Sequence, residues 1–247
     1  MKRLFMRAAV VALAVWAAGA GGCETPGEAG REITGKDGAA MVLVPAGEFL
    51  YGDANQRMSL SAFYMDKYEV TTKLYAKFLQ ATGRKEPLRW HEVGQVGDGD
   101  RPVIGVLWDN ADAYCRHYGK RLPTEREWEK AARGTDGRRY PWGNEEPTSR
   151  HANFNKCCQW NGYGTLATVG SYEAGKSPYG IYDLAGNVWE WTSSEYSRAT
   201  NYTYRVVRGG SWLNEASYLR STYRTWGPPR AKLHPYFFGF RCAQDAR

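Results

Sequence analysis

Beyond Arg139 the chain offers no long periodic segment. What it offers are turns. "YPWGN", "NGYG" and "YDLAGN" place Gly, Asn, Asp and Pro where a chain reverses. Between them lie short apolar stretches, "TVGSY", "VWEWTS", "YRVVRGGSW" and "FFGFRCA", which read as short strands. A half built this way cannot stack long helices or wide regular sheets. Its core area must come from large side chains, and the 10 Trp and 17 Tyr, set against 28 Gly, supply it.

The preceding half carries regular elements. In "MVLVPAGEFLYGD", Val42, Val44, Phe49 and Tyr51 alternate about a Pro-Ala-Gly turn, the pattern of a hairpin. In "FYMDKYEVTTKLYAKFLQATGR" an extended start becomes a helix. Thr71 or Thr72 is its N-cap, Leu74, Tyr75, Phe78 and Leu79 form its apolar face, and Gly83 ends it. "WDNADAYCRHYGKRLPTEREWEKAARG" reads as two helices. The first carries Ala111, Tyr114, Cys115 and Tyr118 and stops at Gly119. The second opens on a Thr124/Glu127 capping box and closes at Gly134. Helices early and loop-linked strands late define an α+β class with low regular secondary structure.

The N-terminus has its own signature. Lys2, Arg3 and Arg7 precede an apolar run from Ala8 to Ala18, then small residues up to Cys23. This is the order of a secretory signal, with a run too short to span a bilayer comfortably. Its end, "AGGC", resembles a bacterial lipobox, which implies lipidation of Cys23 after removal of residues 1–22; Glu24 favours the outer membrane or its periplasmic face. The 247 residues less the first 22 leave 225, and loss of Lys2, Arg3 and Arg7 lowers the formal charge from +7 to +4. No dense Lys/Arg run tracks a nucleic acid. Residues 23–39 are polar, aperiodic and Gly-containing, the composition of a flexible tether, so the folded domain is expected over 40–247.

Seven stretches, in order from Met41 to Ala243, resemble the formylglycine-generating enzyme (sulfatase-modifying factor) family: "MVLVPAGEFLYGD", "DKYEVTTKLYAKFL", "PVIGVLWDNADAYCRHYGKRLPTEREWEKAARG", "YPWGN", "YGIYDLAGNVWEWTSS", "RVVRGGSW" and "GFRCA". The resemblance implies an FGE-type variant of the C-type lectin fold, stabilised by calcium. One implied calcium site uses Asp183, Gly186, Val188 and Glu190. The carboxylates and intervening carbonyls of "DLAGNVWE" suit an ion that takes six to eight oxygens. The other implied site uses Asn153, Phe154, Asn161 and Tyr163, with Asn161 standing where the family usually has Asp. The family also implies a disulfide between Cys115 and Cys242, in keeping with export. Cys157 and Cys158 are adjacent, and read either as a vicinal disulfide or as free thiols.

In the family's oxidases two cysteines, three and eight residues after the Ser of a Gly-Gly-Ser turn, bind Cu(I), a soft ion that requires sulfur. Counted from Ser211, those positions hold Asn214 and Leu219. Copper is therefore not expected, and formylglycine-generating activity is not expected either. Ser211, Trp189 and Arg220 remain from the groove. Arg208 and Arg224 are candidates for the same surface, and Trp189 and Trp191 read more readily as core. His91, His117, His151 and His234 are scattered without ligand spacing. The expected function is an exported, lipid-anchored binding or scaffold protein of the cell envelope with a protein or peptide partner. The alternative is an oxidase-like or non-haem-metal tailoring enzyme for exported substrates, acting in sulfatase or siderophore maturation.

Overall fold

The computed structural model describes residues 29–88, 90–93, 99–156, 165–196, 203–227 and 237–246. Among the described residues, three small sheets and four α-helices are linked by turns. The first sheet has the order β1-β2-β5-β10, built from β1 (Glu32–Thr34), β2 (Ala40–Val44), β5 (Phe63–Asp66) and β10 (Ala243–Asp245). Its strands are antiparallel, with Met41 opposite Asp66 and Ala243 opposite Met65. The second sheet is the hairpin of β3 (Gly47–Tyr51) and β4 (Gln56–Leu60). The third has the order β8-β7-β6-β9, from β6 (Trp189–Tyr196), β7 (Tyr204–Arg208), β8 (Arg224–Gly227) and β9 (Phe238–Gly239).

The helices start and stop where side-chain chemistry dictates. In α1 (Thr72–Thr82) the Thr71 hydroxyl accepts from the Leu74 amide, and Gly83 closes the helix at φ 64°. A very short α2 (Trp90–Val93) follows, then α3 (Trp108–His117). In α4 (Glu125–Arg133) Thr124 and Glu127 form the reciprocal capping box. Aromatic side chains fill the space between α1 and α3: Tyr75 stacks on Tyr114 at 5.7 Å, and Phe78 and Phe240 meet Tyr114 edge-on. Cys115 and Cys242 are disulfide-bonded beside this cluster. A bridge that closes so long a loop contributes on the order of 5 kcal/mol on the chain-entropy view.

Three expectations give way. Met41–Asp53 holds two strands, but they are not a hairpin. Both edges of β2 are already paired, by β1 and β5, so β3 turns away and pairs with β4 instead. "TVGSY" is a turn, with Gly170 at φ 77° and the Val169 amide donating to the Asp100 carbonyl. The boundary at Ala39 falls inside the fold. β1 pairs with β2 at Glu32–Val42 and Thr34–Ala40, and Asp37 is buried. Composition missed this because a single buried carboxylate, not an apolar stripe, docks the segment.

That carboxylate has strong partners. Lys120 Nζ reaches both Asp37 oxygens at 2.7 Å and Asp66 Oδ1 at 2.8 Å, and Tyr114 donates its hydroxyl to Asp37 at 3.0 Å. Two carboxylates share one ammonium in a dry site: burial, aided by the charge of Asp37, pushes the Asp66 carboxyl up against the opposing pull of Lys120 and the Cys242 amide. The Lys67–Glu32 ion pair at 2.6 Å pins the segment from its exposed side. Asp37→Ala leaves Lys120 paired with Asp66 but removes the charge-assisted hydrogen bonds from Lys120 and Tyr114 that dock the segment. It is expected to cost about 2 to 3 kcal/mol in urea unfolding. An unchanged midpoint would return residues 30–39 to a tether.

Helix α4 buries an unusually polar set, Glu127, Glu129, Lys130 and Arg133. Loop-rich folds leave carbonyls without ladder partners, and buried backbone acceptors need donors. Lys130 Nζ donates to the carbonyls of Pro45 and Gly47, and Arg133 to those of Leu50, Gly52, Gly137 and Arg138. Lys130 has no carboxylate partner among the described residues, and burial brings its pKa down to about 8. A base whose folded pKa lies below its unfolded value of 10.5 costs stability while both states are charged. That cost is relieved as pH rises from 8 to 10.5. Lys130→Met should flatten the rise in thermal midpoint over that window.

Candidate functional site

The Gly-Gly-Ser turn leaves β7 at Arg208. Gly209 and Gly210 take φ 96° and 78°, and a Cβ on Gly210 would stand 3.0 Å from Leu219 Cδ2 and 3.2 Å from the Tyr218 carbonyl. Only glycine lets the chain pass here. Asn214 then closes the turn, its Oδ1 accepting from the Ser211 amide at 2.9 Å and the Ser211 hydroxyl at 2.8 Å. Its own amide donates to the Ser211 carbonyl. Leu219, in a short 3-10 turn over Ala216–Leu219, is fully buried against Tyr140, Ala152 and Ala185. Of the two positions singled out in the sequence, one staples a turn and the other fills a core.

The neighbouring arginines divide. Arg208 does not line a surface: it is buried, paired with Glu129, and donates to the carbonyls of Thr222 and Tyr223. Its burial follows from β7 facing α4. Arg220 and Arg224 stay partly exposed. Arg220 Nε donates to the Ser217 carbonyl, with its guanidinium 6.0 Å from the Tyr223 ring, and Arg224 pairs with Glu125 at 2.8 Å. Trp189 is buried beside Tyr218 and Tyr223, and the Trp191 indole donates to the Val106 carbonyl at 2.8 Å. Both tryptophans are core.

The "DLAGNVWE" segment holds a second constellation. Asp183 and Asn187 both sit at positive φ, 57° and 60°, which coils the segment tightly. Glu190 is fully buried. One of its oxygens accepts from Arg241 Nη2 at 2.7 Å, the other from Arg241 Nε and the Trp128 indole, each at 2.8 Å. Asp183 accepts from the Gly170 amide at 2.7 Å, and burial raises its pKa to about 6. Glu69, unassigned from sequence although it lies in "YEVTT", accepts from Asn187 Nδ2 at 2.7 Å and from the Val188 amide. Burial, then the charges of Asp183 and Glu190, push its carboxyl well above the usual range. Three buried carboxylates thus face one guanidinium.

The other oxygen set is described in half. Asn153 Nδ2 donates to the Thr165 carbonyl and to Asn187, and its Oδ1 is buried with no hydrogen-bond partner. An orphaned oxygen of this kind suits a hard cation. Phe154 follows it in the chain; Asn161 and Tyr163 lie outside the described residues, as do Cys23, Cys157, Cys158 and His234. Among the described residues no group of three or more His, Cys, Asp or Glu side chains is arranged around a metal position. Three histidines are dispersed: His91 pairs with Glu86, His117 packs on Phe78 and Tyr118, and His151 stacks on Trp142 at 4.7 Å.

Small sheets joined by turn-rich loops, with two early helices on an aromatic core, define an α+β domain of the FGE and C-type-lectin-like kind. The model of the sulfatase-modifying factor enzyme 1-like domain matches residues 27–246, and the chain belongs to this family. It is 40% identical over 173 residues to the Bos taurus protein named inactive C-alpha-formylglycine-generating enzyme 2, covering 64% of this chain and 56% of that one. It is 32% identical over 290 residues to a formylglycine-generating enzyme of Thermomonospora curvata, covering 83% and 93%. The structure of PvdO from Pseudomonas aeruginosa superposes with a TM-score of 0.71 at 22% identity, over 90% of this chain and all of that one. The chain spans about half the length, or less, of several curated relatives that it matches.

The buried ion pair is the most sensitive point of this region. Glu190→Gln should cost about 3 kcal/mol, because it removes the carboxylate hydrogen-bonded to Arg241 and leaves only Glu69 and Asp183 to balance the guanidinium through space. A cost under 1 kcal/mol in chemical unfolding would mean that water reaches the pair.

Proposed function

We propose that this protein is a binding or scaffold member of its family, exported and anchored by lipid at Cys23, which keeps the fold and has given up copper-dependent oxidation of a substrate cysteine. One observation carries the reading. At the positions that the resemblance assigns to the copper cysteines, Leu219 is a fully buried core side chain and Asn214 is tied to Ser211 by two hydrogen bonds. Neither presents sulfur to a soft ion. The 40% identity to a relative named as inactive points the same way.

The enzyme reading is supported by the 32% identity that runs along nearly the whole Thermomonospora curvata enzyme. In that reading the protein is an oxidase-like or non-haem-metal enzyme acting on exported substrates, in sulfatase or siderophore maturation. Calcium serves both readings as a structural ion. The orphaned Asn153 oxygen supports it at one set of ligands, while at the other both Glu190 oxygens are already engaged by Arg241 and Trp128. The described partner would be an envelope protein or peptide; no feature favours nucleic acid.

Metal analysis of the purified protein separates the readings. Calcium without copper or iron, and no conversion of cysteine in a sulfatase-derived peptide, is the expected result. Stoichiometric copper or iron would overturn the binding reading. In a second arm, Asn214→Cys/Leu219→Cys restores both thiols, at a cost of about 1 to 3 kcal/mol for the shortened core side chain. One Cu(I) per chain is expected there and none in the parent. Absence of copper in the folded double variant would mean that more than the two ligands separates this site from an oxidase.

A further inference from the structure

The docked N-terminal segment changes how far the body can stand from a membrane. The Gly30 amide donates to the Leu43 carbonyl, so at most seven residue steps separate Cys23 from the fold. At about 3.5 Å per residue, seven steps reach at most about 25 Å. A tether running to Ala39 would have reached about 56 Å on the same scale. Whatever face surrounds residues 29–40 is therefore held near the anchor, and its chemistry becomes a matter of function.

That face is basic. Arg31 and Lys36 are exposed on the segment itself. Lys36 lies over the end of α3, its Nζ 3.5 Å from the place a Cβ on Gly119 would take. Lys73 and Lys77, one turn apart and exposed on α1, line the same cleft as Asp37, Gly38, Ala39 and Ala40. Lys67, paired with Glu32, and Arg116, paired with Asp112 on α3, flank them. The carboxylates of the cleft are Asp37 and Asp66, which are buried and share the one charge of Lys120, Glu69, which is also buried, and Asp100 on its rim. Arg31, Lys36, Lys73 and Lys77 have no carboxylate partner among the described residues. A solvated helix needs no pair of lysines at i and i+4, which repel one another.

We infer that the face formed by residues 31–39, the end of α3 and the Lys73/Lys77 side of α1 lies against an anionic phospholipid surface, with the protein held there by Cys23. The inference rests on the lipid-anchor reading and adds an orientation to it. A lysine or arginine near such a surface strengthens association about fivefold, and the attraction fades beyond a Debye length of roughly 8 to 10 Å. Only a short leash keeps these side chains within that range. The Gly-Gly-Ser turn and the loops around it are then free for a partner in so far as they point elsewhere.

The test uses the full mature chain on vesicles of phosphatidylcholine alone or with 30% phosphatidylglycerol. Lysines are footprinted with a water-soluble acylating reagent and read by mass spectrometry. Lys36, Lys73 and Lys77 are expected to lose at least threefold in labelling on the phosphatidylglycerol vesicles, while Lys156, on the loop bonded to the Trp212 carbonyl, stays unchanged. Equal labelling on both vesicles overturns the inference. The intact mass of the N-terminal peptide reports acylation of Cys23 separately. If it is absent, the anchor reading fails by itself. The face is then tested with Cys23→Ser, which should sediment with the anionic vesicles at low salt and be released at 0.5 M, with Lys73→Glu/Lys77→Glu reducing binding at least tenfold. No sedimentation of Cys23→Ser at low salt overturns the face as well.

Discussion

The Glu190–Arg241 ion pair is the interaction on which most of this architecture converges. Arg241 also donates to the carbonyls of Asp66, Lys67 and Tyr182, and Glu190 also accepts the indole proton of Trp128. One carboxylate and one guanidinium therefore join β6, α4, the end of β5, the "DLAG" turn and the C-terminal segment. Buried pairs of this type contribute little net stability against an apolar substitute, but losing one partner is costly, so the neighbours that hold the pair are held in turn. In a fold with few ladders, that restraint replaces the regular hydrogen bonding that would otherwise hold strands in place. The disulfide at Cys242, next to Arg241, holds the same segment to α3 by a covalent route.

A second buried cluster extends this logic to the N-terminus. Lys120 sits just past α3 and gathers Asp37 and Asp66, so the first strand is held by charge where it lacks an apolar stripe. Helix α4 does the same for the β3–β4 hairpin through Lys130 and Arg133. In each case a long cationic side chain reaches carbonyls or carboxylates that short strands leave unserved. The exposed consequence is a set of basic side chains, Arg31 and Lys36, on the segment that is docked this way.

Much of this was legible in the chain. The Thr71 and Thr124 caps, the Gly83 and Gly134 stops, and the turn-rich second half are local chemistry, and local chemistry survives folding. Other features were not. The partner of β2 depends on which edges are free, and the alternation of Val42 and Val44 carries no record of that. Asp37 lies in a polar, Gly-containing stretch, so its burial depends on Lys120, 83 positions away. Glu69 and Arg241 lay inside quoted motifs, yet only their convergence gives them a role.

By itself the sequence determined the class of fold, the ends of α1 and α4, and most of the turns of the second half. These are set by residue type and short-range spacing. Tertiary structure alone decided that Arg208 is interior, that Asn214 staples a turn while Leu219 fills a core, and that the N-terminal segment belongs to the body. Those outcomes depend on long-range pairing of charges and on which surfaces exclude water. Neither is encoded at any one position.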